Sequence, residues 1–473
     1  MKSILYCLRN ACIFVAAASP AWAAPLPAVV DQVLQRHPDL RSAQGLLEAS
    51  EAQIRQARSD FYPTFNLNYR DTQEQDQEAS LLGDTQNISR STKRSSAALR
   101  WNLFNGHGDV HRLRFADHGR DAAAADLDDA RERIALDVTD AYAELVRQRL
   151  RLELTDILSR EYEALRDSVR KRVDAGRVSP AELDQIQSEL LRIHAQQSQL
   201  RGQLGGSENR YRQLTGQAPV NLSSPWLEAP EDARSQEQLL QLLETGNPHL
   251  RAALQRAQAQ AEQVAVARSS YWPSLDLELD HRLHANIVPA AVTDQVSASS
   301  ISLNLDIPLG GKNLFRIDEA VQRMKAAQAA AASLQQSLAT DIGTSFQELS
   351  EARVIEPELL ERVATTRRVY LAYRLQFDAG KRSLLDVASA QNERFMALAD
   401  VIDNHHMQLL DQARVLSMVG KLRQTLNQNC HDSPLILPIG EKLAEDGLVT
   451  PESPASRGNL EVSRGLDHFG RIQ

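Results

Sequence analysis

Four short stretches of this chain alternate apolar and polar residues with a period of two. Phe65, Leu67 and Tyr69 alternate with Thr64, Asn66, Asn68 and Arg70, and Ala97, Leu99, Trp101 and Leu103 with Ala98, Arg100 and Asn102. Leu275, Leu277 and Leu279 alternate with Asp276, Glu278 and Asp280, and Ile301, Leu303, Leu305 and Ile307 with Ser302, Asn304 and Asp306. The pattern predicts four strands of about 8–10 residues, each with one apolar and one polar face. The polar segments between them, 71–95 and 281–296, are expected to be surface loops.

Elsewhere the period is helical. Helices are predicted over 26–59 and 235–269, broken at His37-Pro38 and Asn247-Pro248, because the residue before a proline is pushed out of the helical region. Each runs into an aromatic-proline punctuation, Phe61-Tyr62-Pro63 and Tyr271-Trp272-Pro273. After Gly106 and Gly310 a helical pattern continues to Asp174 and Asp378, about 68 residues or roughly 100 Å of rod. Ile134, Val138, Ala141 and Leu145 have the 4-3-4 spacing of a coiled-coil seam. Shorter helices return from Ser179 to about Thr215 and from Ser383 to about Val419, with the pre-strand helices stacked above them. Pro357 is expected to bend the second rod.

The rods end in matching tips, Val-Asp-Ala-Gly-Arg-Val-Ser-Pro-Ala-Glu-Leu from Val173 and Phe-Asp-Ala-Gly-Lys-Arg-Ser-Leu-Leu-Asp-Val from Phe377. Gly176 and Gly380 suit a left-handed helix end, and Ser179 with Glu182 and Ser383 with Asp386 read as capping boxes. An offset of 204 residues pairs Gly176 with Gly380, Asp137 with Asp341 and Gly216 with Gly420; upstream, 210 pairs Pro38 with Pro248 and Pro63 with Pro273. The chain is two copies of one unit, 24–220 and 221–427, followed by an irregular tail over 428–473.

Composition narrows the class. Of 473 residues 42% are apolar but only 5% aromatic, which favours long helices over large globular cores. A net charge of −9 and no basic face argue against nucleic acid as a partner. Residues 1–23 read as a secretory signal, with Lys2, Arg9, a short apolar run and Ala21-Trp22-Ala23 before the cut. Of three cysteines only Cys430 would remain, so no disulfide framework and no lipid-anchoring cysteine are expected. Alternation alone fits a soluble two-faced ribbon as well as a membrane barrel; the signal and the aromatic strand ends favour the barrel. Four strands cannot close one, so several chains must contribute.

No phosphate loop, nucleophile elbow, cysteine pair or metal-binding helix motif is present, and His405-His406, read as part of a polar face, cannot both ligate one metal from that helix. No cofactor, metal or catalytic residue is expected, and an enzyme is the weakest reading.

The duplicated halves, the Tyr/Trp-Pro punctuation, Trp101-Asn102-Leu103-Phe104-Asn105-Gly106 and Ile307-Pro308-Leu309-Gly310-Gly311 before the rods, and the Ala-Gly tips together resemble the TolC-like outer-membrane efflux and type I secretion channels over about residues 26–427. The resemblance implies a mainly α fold with a transmembrane β part: a homotrimer with a twelve-stranded barrel in outer-membrane lipid and an α-helical periplasmic tunnel. A periplasmic adaptor would dock at Asp174, Ala175, Gly176, Asp378, Ala379 and Gly380, with an ATP-driven inner-membrane exporter behind it. It further implies a periplasmic gate in which Glu182 pairs with Arg382, Phe377 stands where a tyrosine is usual, and Asp386 forms an acidic ring. Phe377 has no hydroxyl, and Ser389 stands where a second acidic ring is usual. Arg70, Arg100, Asp276, Glu278, Asp280 and Asp306 would face the lumen, the acids favouring cations. Protein secretion is the favoured cargo reading, small-molecule efflux the alternative, and a pore-less periplasmic scaffold the third.

Overall fold

The computed structural model describes residues 25–79, 85–220, 222–287, 294–307 and 311–432. The leader over 1–23, Gly310 and the tail beyond 432 lie outside them. The first half runs α1 (Leu26–Arg36), α2 (Pro38–Ser59), β1 (Thr64–Ala79), β2 (Thr85–Phe104), α3 (Gly108–Asp174) and α4 (Pro180–Thr215). After a short β3 (Pro225–Leu227) the order recurs as α5 (Gln236–Gly246), α6 (Pro248–Ser269), β4 (Ser274–Ile287), β5 (Asp294–Asp306), α7 (Lys312–Asp378) and α8 (Leu384–Met418).

The breaks follow local chemistry. His37 and Asn247 are extended before a proline at the first helical position, and the Asn247 side chain accepts the Leu250 N–H at 2.6 Å. α3 and α7 have 67 residues each, and α7 continues as one helix through Pro357. The seam residues Ile134, Val138, Ala141 and Leu145 are at most 2% exposed. α3 packs on α2 and α6 near the strands and on α4 and α8 farther along, so its apolar stripe is shared by both halves.

The sheet order is β1-β2-β4-β5, all antiparallel, leaving β1 and β5 as edges. At 16, 20, 14 and 13 residues the strands exceed the predicted length, and most of the expected loops 71–95 and 281–296 is strand. Ladder bonds join backbone to backbone, so pairing runs on where the apolar alternation stops. An irregularity after Asn102 sets Phe104 opposite Leu275. The strand-to-rod turn needs Gly106: its φ is +63°, and an added Cβ would lie 2.6 Å from Trp272 Cβ and 2.7 Å from the Ser269 carbonyl oxygen.

Two local expectations are corrected. The chain is regular from 428 as far as Asp432, because α9 (Leu422–Asn429) leads into β6 (Cys430–Asp432), which pairs with β3. The Ser179 hydroxyl accepts the Ala181 N–H at 3.3 Å rather than that of Glu182, whose N–H goes to the Ser179 carbonyl, so no capping box forms there.

Candidate channel wall and periplasmic tips

Both tips close as the sequence predicts, through a glycine at positive φ, +69° at Gly176 and +71° at Gly380. Arg177 N–H reaches the Arg172 carbonyl and Gly176 N–H that of Val173, and Lys381 and Gly380 repeat this with Gln376 and Phe377. These are Schellman ends, which satisfy the last carbonyls of each rod. Asp174, Ala175, Gly176, Asp378, Ala379 and Gly380 are all exposed. At the second tip the Ser383 hydroxyl accepts the Asp386 N–H and donates to the Asp386 carboxylate at 2.7 Å. That bond, more than nearby Arg382, holds the Asp386 carboxyl below its ordinary pKa.

Arg382 lies 3.4 Å from Asp386 and stacks 3.8 Å from the Tyr373 ring centroid. Glu182 is half-buried and has no ion-pair partner among the described residues, so a single chain does not bring these two gate candidates together. Phe377 is a core residue, 3% exposed, beneath the Arg172 guanidinium. Arg172 was not singled out by sequence; its only local signal is a basic charge in the last turn of a helix. The pairing of Arg394 with Glu161 at 3.3 Å, both buried, has no local signal at all.

On the sheet the register gathers the polar residues on one face. Arg100 opposes Glu278 at 3.5 Å, and Asn102 donates to Asp276 at 2.9 Å. Asp280 pairs with Arg282, while Asp306 opposes Ser274 and Arg70 opposes Arg94. Arg70, Arg94, Arg100 and Arg282 thus share the register face of Asp276, Glu278, Asp280 and Asp306. The other face carries Phe65, Leu67, Tyr69, Ile301, Leu303 and Leu305, each more than 60% exposed. Tyr62, Tyr271 and Trp272 are exposed at the strand-helix junction, where Trp101 donates its indole N–H to the Phe61 carbonyl at 3.1 Å. Apolar outer face, polar inner face and an aromatic rim are the arrangement of a barrel wall in lipid.

His405 and His406 lie inside rather than on a polar face. His405 is 6% exposed and stacks on Trp226 with ring centroids 5.2 Å apart; burial pulls its pKa down to about 4. His406 is 3.5 Å from Glu144, which also receives a two-pronged bond from Arg147. No metal cluster occurs among the described residues.

A family model described as outer membrane efflux protein matches residues 29–217 and 239–421. The chain belongs to that family. It is an outer-membrane channel protein with a long periplasmic helical extension. It is 25% identical over 405 residues to protein CyaE of Bordetella pertussis, covering 80% of this chain and 82% of CyaE. Its fold matches the CmeC outer membrane channel of Campylobacter jejuni with a TM-score of 0.72 at 16% identity, over 84% of this chain and 86% of CmeC. VceC of Vibrio cholerae matches with a TM-score of 0.69 at 18% identity, over 85% and 95% of the two chains.

Proposed function

We propose that three copies of this chain close one barrel and one helical tunnel, forming a passive exit duct across periplasm and outer membrane. The observation that carries the reading is a four-stranded sheet with an exposed apolar face and two unpaired edges, β1 and β5. Unpaired backbone groups cost several kcal/mol each in hydrocarbon, so β1 of one copy must pair with β5 of the next. Leu314, Phe315, Val354 and Leu375, exposed along α7, supply the matching helical contact. The chain then does no chemistry of its own. An adaptor meets the exposed tips, and an inner-membrane exporter drives transport.

Secreted protein is the cargo we favour, in keeping with the likeness to CyaE. The family's description favours the second reading, small-molecule efflux. Protein purified in detergent should have the mass of a trimer and form channels in planar bilayers. A monodisperse single copy that stays soluble without detergent would overturn the duct. Secretion and drug-susceptibility assays in a deletion strain separate the cargoes. Glu182 and Arg382 act as a closing pair between neighbouring copies, with Asp386 beside them; Glu182→Ala with Arg382→Ser should raise conductance, and an unchanged value would remove both from the gate.

A further inference from the structure

We propose that the four helix ends next to the strands form a basic collar that binds anionic phospholipid headgroups of the periplasmic leaflet; this rests on the barrel of the duct reading above. Arg58, Arg114, Arg268, Lys312 and Arg316 are all exposed, and none has an ion-pair partner among the described residues. The acids nearest them, Asp60, Asp109 and Glu262, are already taken, the first two by Arg112 and the third by His111 at 2.7 Å. What stays free there is positive, in a chain whose net charge is −9.

The collar is written twice. An offset of 210 carries Ala57-Arg58-Ser59 onto Ala267-Arg268-Ser269 and Tyr62 onto Trp272. The same turn follows in both copies: the Tyr62 N–H bonds the Ser59 carbonyl at 3.0 Å, and the Trp272 N–H bonds the Ser269 carbonyl at 3.0 Å. Each exposed ring therefore follows its arginine by about one turn, just before a strand begins at Thr64 or Ser274. A last helical turn and a tight bend leave Arg58 and Arg268 roughly 10 Å from the strands. The headgroup layer outside the hydrocarbon core is about 5–8 Å deep, a gap that long basic side chains span.

Helix electrostatics explains only half of this placement. A cation is welcome at a helix C-terminus, where Arg58 and Arg268 stand, and unwelcome in a first turn, where Lys312 stands with no acid beside it. An external anion supplies the missing charge. The exposed rim of Tyr62, Trp101 and Trp272 points to its source, since such rings settle where hydrocarbon meets headgroups, within reach of a lipid phosphate.

The test uses the full-length chain in phosphatidylcholine vesicles carrying acyl-brominated lipid, whose bromines quench the rim residues Trp101 and Trp272 on contact. Brominated phosphatidylglycerol should quench as though bound about fivefold more tightly than brominated phosphatidylcholine, the factor set by one basic residue near a headgroup. Arg58→Gln with Arg268→Gln should bring that ratio close to one, whereas Arg58→Lys with Arg268→Lys should keep most of it. Lys312→Gln with Arg316→Gln should lower it in part, and Arg177→Gln, beyond the far end of α3, should leave it unchanged. Equal quenching by the two lipids in the wild type, a ratio untouched by Arg58→Gln with Arg268→Gln, or an equal loss in the lysine pair overturns the collar. Quenching by neither lipid removes the barrel and the collar with it, so failure of the duct reading is told apart from failure of the collar alone.

Discussion

Replacing His405 by phenylalanine keeps a flat ring against Trp226 and removes a proton site. In the folded chain burial draws the imidazole from 6.5 to about 4, with the nearby Pro225 carbonyl offsetting a part and His406 adding to the drop. At ~1.4 kcal/mol per pH unit this corresponds to roughly 3 kcal/mol. Between those two values the unfolded chain binds the proton and the folded chain does not, so stability falls as pH falls. About 2 kcal/mol of the loss should be reached at pH 5 and nearly all of it near pH 4. His406, lowered chiefly by burial and then by Arg147, retains its own share, so the difference between two curves is the measurement. Guanidinium denaturation of wild type and His405→Phe in detergent, at pH 7.5, 6 and 5, should show their stability difference move by about 2 kcal/mol in favour of the variant. Parallel curves would refute the argument.

Glu132 has the opposite sign: burial lifts its carboxyl from 4.5 to about 7, so stability is lost as pH rises through that interval. Glu132→Gln keeps an acceptor for the Leu422 N–H and should be more stable than wild type at pH 8 but not at pH 4, checked by the same denaturation series. Glu161→Leu or Arg394→Met alone should cost about 3–5 kcal/mol and the pair together far less, read by thermal melting. Gly106→Ala combines a left-handed φ with a clash against Trp272, so trimer yield after extraction should fall sharply. Leu303→Arg should cost about 2–4 kcal/mol if the residue faces mid-membrane, measured by reversible folding into lipid vesicles.

The helices were legible because their ends are written in single residues: Pro38 and Pro248 start them, and Gly176, Gly216, Gly380 and Gly420 at positive φ stop them. The strands were legible only where apolar residues alternate. Beyond Arg70 and before Ala97 the ladder depends on backbone pairing, which leaves no mark on side-chain pattern. The burial of His405 depends on Trp226, brought over it by the pairing of β3 with β6, and the grip of Arg172 depends on a turn 205 residues away. Contacts of that range have no period to read. The strand charges were legible singly but not as pairs: the acids of β4 stand out, whereas the meeting of Glu278 with Arg100 needs the register of β2 against β4.

α3 carries a consequence for assembly. Its buried stripe is completed by α6 and α8, which begin at Pro248 and Leu384, long after α3 ends at Asp174. A chain threaded from its N-terminus therefore presents this stripe to solvent before its cover has emerged. Such an intermediate is open to aggregation, and its rate of closure is governed by loop entropy rather than by helix growth. The helix that unites the finished wall is thus the part most in need of a chaperone during biogenesis.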